Sequence, residues 1–228
     1  MKFVLFEKLA ELTPAEWAML AAALLLAAAL AYVLVRLARK RREETPGRRI
    51  PARVLAQGAL CLAIAFVLSY FKPLKSLYML LGLGTLGGSV TLCSMLPVVL
   101  FGYLYGPAYG FTAAFAYSLL QIAQGPYVVH PVQFALDYLF AFTALGLGSL
   151  FPKNLPLGMA VSGLARVACS VISGVVFFAE YAAEAGYQSA LWYSLAYNGS
   201  TVGVETALCV LVALLPPVKR AIGQIKRT

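Results

Sequence analysis

The chain has 228 residues, is 61% hydrophobic and only 12% charged, with a mean hydropathy of +0.82 and a formal net charge of +9. A soluble globular domain carries about 25% charged residues, so the composition excludes that class and points to an all-α integral membrane protein. The positive charge is concentrated: eight of the eighteen basic residues fall between Arg36 and Arg53, and four more close the chain, a pattern of cytoplasmic flanks of membrane spans and not of a nucleic-acid surface.

The first apolar run, 17–37, includes the uncharged stretch 18–35, long enough to cross a bilayer. Its basic cluster follows the apolar run instead of preceding it, unlike a signal peptide, and predicts an N-terminus outside. The polar segment 39–53, with Pro46 and Gly47, reads as a cytoplasmic linker between this extra span (1–38) and a core over 54–228. Six spans are predicted in the core: 54–71, 89–104 (broken by Pro97), 108–122, 132–150, 157–178 and 192–215. GPAYG at 106–110 and FPKNLP at 151–156 are tight turns. Alternation over six crossings predicts a cytoplasmic C-terminus carrying Lys219, Arg220, Lys226 and Arg227, and three outer connections at 72–88, 124–131 and 179–191.

The stretch LGLGTLGGSVT at 81–91 contains a literal G-x-G-x-x-G at Gly82, Gly84 and Gly87. A dinucleotide fingerprint needs a preceding strand and a βαβ unit, and neither is present. Gly84, Gly87 and Gly88 read instead as a flexible loop at the mouth of a site, with a lid as the functional reading and a plain turn as the bland one. Cys61, Cys93, Cys169 and Cys209 are isolated, and His130 is the only histidine; no metal site or disulfide framework is indicated. No G-x-x-x-x-G-K-[ST] occurs, so the chain has no P-loop of its own. No cofactor is predicted.

Of nine acidic residues, only Asp137, Glu180, Glu184 and Glu205 lie in the core. Asp137 sits well inside an apolar helix, where a carboxylate costs about 2.5–3.5 kcal/mol to bury. It is either paired locally, with Arg166 or a hydroxyl, or serves as counter-ion to a cationic substrate. Tyr138, Phe178, Tyr181, Tyr187, Trp192, Tyr193 and Tyr197 crowd the same ends of the helices; Tyr187 and Trp192 suit an interfacial belt equally well. Tyr193 and Tyr197 share a helical face, beside Asn198, whose amide can read the edge of a heterocycle. Rings near a carboxylate suit a flat cation. Glu205, two turns deeper, reads as a helix–helix polar contact, with contact to the substrate as the alternative; Arg166 reads as a residue paired with a carboxylate or carbonyl, and His130 as a loop histidine positioned by the turn before Pro131. An intramembrane acid–base pair of Asp137 and Glu205 lacks a nucleophile or metal set. A proton-coupled carrier working unaided is the other rival.

Several of these segments, in order, resemble the S-component of energy-coupling factor (ECF) thiamine transporters, the ThiT family: GGSVTLCSMLP (87–97), YGPAYGFTAA (105–114), HPVQFALDYLFAFTALGLGSLF (130–151), SGVVFFAEYA (173–182) and YSLAYNGS (193–200). The resemblance covers about three-quarters of the chain. It implies a six-helix S-component core that captures thiamine outside the bacterial cell membrane. Delivery would follow docking on a transmembrane coupling subunit driven by two ATPase subunits. It maps the pocket onto Asp137, Tyr138, Phe178, Tyr193 and Asn198, and the docking face onto Ala59 and Ala63, spaced A-x-x-x-A. Where the family usually carries a histidine this chain has Ser170, which leaves a related pyrimidine or other cationic vitamin as the alternative ligand. The family also does not need the 17–37 span. His130, Ser170, Tyr181 and Tyr197 complete the set of candidate binding residues.

Overall fold

The computed structural model describes residues 50–80 and 89–227. The extra span, the bulk of its linker, and the glycines Gly84, Gly87 and Gly88 lie outside the described residues. Six main helices fall on the six predicted spans: α1 (Ala52–Tyr70), α3 (Met95–Tyr105), α4 (Pro107–Ala123), α5 (Pro131–Leu150), α6 (Leu155–Phe177) and α8 (Ala190–Leu214). Short helices α2 (Lys75–Leu80) and α7 (Ala179–Glu184) occupy two segments read as connections, and α9 (Pro216–Arg227) carries the terminal basic cluster. No strand occurs among the described residues.

The helix boundaries follow local chemistry. Proline stands in the first turn of α4, α5 and α6, where its missing N–H is not needed. Asn154 caps α6 by accepting from Leu157 N at 3.0 Å, and His130 caps α5 by accepting through Nδ1 from Val132 N at 3.1 Å. Gly106 joins α3 to α4 with φ +91°, in the region that favours glycine. One boundary corrects the sequence reading. Residues 89–94 are not helical and α3 starts at Met95, so Pro97 sits in the first turn of a helix rather than breaking a longer one.

Burial is inverted relative to a soluble bundle. Leu60, Leu164 and Leu211 are 59%, 64% and 59% exposed, while Ser118, Ser162 and Ser173 are fully buried. With lipid as the surroundings, apolar side chains face outward and small residues let helices approach. Four of the helices, α1, α5, α6 and α8, are long and apolar enough to cross a membrane. α6 occupies the centre and packs against both α5 and α8. At one end of the α5–α6 pair a Cβ on Gly158 would stand 2.6 Å from the carbonyl oxygen of Gly148. At the other end of α6 the partner is α8, and between them lies the site.

Two of the helices that carry candidate residues, α5 and α8, are irregular at or next to them. α5 widens into a π-helical stretch over Ala135–Phe140 and tightens to 3₁₀ over Ala144–Leu150. α8 has a π-helical stretch over Gly199–Gly203, immediately after Asn198. Such turns re-aim side chains and recur at functional sites.

Candidate functional site

A cavity of about 250 Å³ opens between α1, α4, α5, α6 and α8. Its volume lies just below the roughly 300–1,000 Å³ of small-molecule pockets. Seven of the nine candidate binding residues line it: Asp137 and Tyr138 from α5, Ser170 from α6, Phe178 just beyond it, and Tyr193, Tyr197 and Asn198 from α8. Residues from three helices, running in the chain from Asp137 to Asn198, therefore converge on one space.

Asp137 is held by two donors. Gln133 Nε2, one turn earlier, donates to Oδ2 at 2.7 Å, and Ser173 Oγ, across on α6, donates to the same oxygen at 2.9 Å. Its partners are thus polar and uncharged. Arg166 also lines the cavity, yet it pairs with neither carboxylate within the described residues; its guanidinium carbon lies 4.1 Å from the centre of the Phe142 ring, a cation–π contact. This corrects the expectation of a carboxylate or carbonyl partner for Arg166.

The aromatic residues form two groups. Tyr193 and Tyr197 stack at 6.3 Å between centroids with 25° between planes. Tyr127 stacks on Phe178 at 6.3 Å, and its hydroxyl meets that of Tyr181 at 2.8 Å. Tyr127 N also donates to the Tyr138 hydroxyl at 2.9 Å. The connection before α5 is thereby pinned over the cavity by Tyr138, by Phe178 and by Gln133, whose Nε2 donates to the Tyr127 carbonyl at 3.1 Å.

Asn198 is oriented by the backbone. Its Nδ2 donates to Ser194 O at 3.0 Å and Ser170 O at 3.3 Å. With the amide hydrogens so engaged, the atom it can offer a ligand is Oδ1, an acceptor. Ser170 contributes through its carbonyl as well as through its place on the wall.

Two candidates stand off the cavity wall. Tyr181 touches the site through the Tyr127 hydroxyl and through the ring of Phe178, 5.7 Å away between centroids. The imidazole of His130 caps α5 and stacks on Phe177 at 4.7 Å between centroids, so its position serves the helix start. Trp192, 68% exposed, is directed away from the interior, and Tyr187 packs on Tyr193 at 5.3 Å. Ala59 and Ala63 are exposed on α1.

Sequence reasoning left out several residues of the wall. Gln133 was detectable, because it lies four residues before Asp137 on the same helix. Ser69, which accepts from Gln121 Nε2 at 3.1 Å and Gln124 Nε2 at 2.7 Å, carried no signal, since its partners are 52 or more residues away. Thr91 and Ser94, bonded to Glu205, carried none for the same reason. Among the described residues no group of histidine, cysteine, aspartate and glutamate could hold a metal ion, and all four cysteines are free.

Comparison with known proteins agrees with this architecture. ThiT of Bacillus subtilis (strain 168), a thiamine transporter, is 32% identical over 147 residues, covering 57% of this chain and 74% of the relative. The solved structure of ThiT from Listeria monocytogenes matches with a TM-score of 0.56 at 22% identity, covering 72% of this chain and 94% of that one; at that identity the match speaks to the fold. Residues 55–223 match the family described as Thiamine transporter protein (Thia_YuaJ). The chain belongs to this thiamine transporter family, as a multi-pass membrane transporter and not an enzyme.

Proposed function

We propose that this protein is the substrate-binding S-component of an energy-coupling factor transporter, which captures thiamine from outside the bacterial cell and delivers it by docking on a coupling subunit driven by two ATPases. The observation that carries the ligand assignment is the meeting of Asp137, the Tyr193–Tyr197 stack and the Asn198 amide around one cavity. Thiamine is a monocation with two flat rings and an amino-bearing pyrimidine edge. Asp137 supplies the charge opposite the thiazolium, the tyrosine rings supply stacking and cation–π faces, and Asn198 Oδ1 accepts from the exocyclic amine. Binding involves no covalent step.

Ser170 is on the cavity wall, and its short, uncharged side chain in place of the histidine usual in the family weakens or moves one polar contact to the ligand. Calorimetric titration of the purified protein with thiamine and with its isolated aminopyrimidine half tests the assignment. Thiamine is expected to bind more tightly, because only it carries the charge that Asp137 answers; tighter binding of the fragment would replace thiamine with a simpler pyrimidine.

In this reading the N-terminus is outside and the C-terminus cytoplasmic. Ala59 and Ala63 form the docking face, where small side chains admit a partner helix at close range. Ala59→Trp and Ala63→Trp are expected to leave thiamine binding within about twofold, since both residues face away from the cavity, and to abolish uptake in cells supplied with the coupling module. Retained uptake would move the docking surface to another helix.

A further inference from the structure

The deep end of the cavity contains a carboxylate that the binding reading does not use. Glu205 is 2% exposed and lies on α8 seven residues beyond Asn198, roughly 10 Å further along the helix. Three donors converge on one of its oxygens: Ser94 N at 3.0 Å, Ser94 Oγ at 2.9 Å, and the Thr91 hydroxyl. These donors come from the start of α3 and from the segment just before it, so the carboxylate is fixed from across the bundle. Its second oxygen takes no bond from the described residues, and Glu205 forms part of the cavity wall. Arg166 does not neutralise it by a direct pair, being engaged with the Phe142 ring. With Oε1 taken up by Thr91 and Ser94, Oε2 is the acceptor that Glu205 has left to offer the cavity it lines.

We propose that Glu205 is a second ligand-binding carboxylate, whose Oε2 accepts a hydrogen bond from an N–H or O–H donor of the substrate while Thr91 and Ser94 hold Oε1. The proposal rests on the thiamine reading for the identity of the ligand. Thiamine offers two such donors, the exocyclic amine on the pyrimidine and the side-chain hydroxyl on the thiazolium.

Glu205→Gln is the discriminating variant. Its amide oxygen must stay with the three donors from Thr91 and Ser94, which turns the amide NH₂ toward the ligand and sets donor against donor. Binding of three probes is compared between wild type and variant: thiamine, an analogue with the amine replaced by oxygen, and thiamine monophosphate, in which the hydroxyl is esterified. The variant should bind thiamine at least about tenfold more weakly, as expected for a lost charge-assisted hydrogen bond. That loss should vanish for whichever probe lacks the donor held by Glu205. Glu205→Asp, which keeps the charge and withdraws it by one methylene, reads the same coupling should the glutamine variant not fold. An equal loss for all three probes, or no loss for thiamine, would make Glu205 a purely structural contact and overturn the proposal. Failure of the wild-type protein to bind thiamine is a separate result, which would sink the ligand assignment itself.

Discussion

Asp137→Asn should weaken thiamine binding by about two orders of magnitude and leave the bundle folded. The two outcomes separate because of how the carboxylate is held. Gln133 and Ser173 both donate to Oδ2, and asparagine can present its carbonyl oxygen to the same two donors. What it cannot supply is the negative charge, and it places an NH₂ where the other oxygen was. Since neither hydrogen-bond partner of Asp137 is charged, the carboxylate has no counter-ion in direct contact among the described residues; Arg166, the cation on the same cavity wall, lies against the Phe142 ring. Removing one member of a buried charge pair costs about 3 kcal/mol, equivalent to roughly a hundredfold in affinity. Titration calorimetry on wild type and variant measures it, with thermal melting as the control for folding. Unchanged affinity would place the thiazolium elsewhere in the cavity.

The same prediction shows what the sequence could and could not disclose. A carboxylate in an apolar helix is conspicuous, because its burial cost has to be offset by something nearby. The helix ends were equally readable, since Pro107, Pro131 and Asn154 each do at a helix start what only those residue types do well. Tertiary partners were not readable. Ser94 and Glu205 are separated by 111 residues, and neither has a local pattern that would announce the other. Arg166 misled for a related reason: charge suggested a carboxylate, while the fold brought up the face of Phe142. His130 was conspicuous as the only histidine, yet its ring nitrogen is used to start α5. The π-helical stretches in α5 and α8 were also invisible, because an extra residue in a turn leaves no mark on composition. They shift the faces of both helices at the residues that matter, so the cavity wall had to be read from the structure.

The α6–α8 seam predicts the second large effect. Gly174 faces Ser194 so closely that a Cβ at position 174 would stand 3.0 Å from the Ser194 Cβ and closer still to its hydroxyl. The hydroxyl could rotate away, but the Cβ is fixed to the backbone of α8. Ser194 in turn holds the seam by donating to Val171 O at 3.0 Å, and its carbonyl and hydroxyl receive the Asn198 amide at 3.0 and 3.2 Å. Gly174→Val therefore acts on the site through two steps: it forces Ser194 outward, and Asn198 loses the acceptors that orient it. Overpacking of this kind costs about 1–3 kcal/mol in stability, so the melting temperature should fall and thiamine affinity should drop at least tenfold. Pairing Gly174→Ala with Ser194→Gly moves the bulk from one side of the seam to the other. That double variant should regain most of the stability and only part of the affinity, because the packing is restored while the Ser194 hydroxyl is gone. Full recovery of both would mean that Asn198 does not depend on Ser194 for its orientation, and that the amide's position in the cavity is set by Ser170 and the turn at Gly199–Gly203 instead.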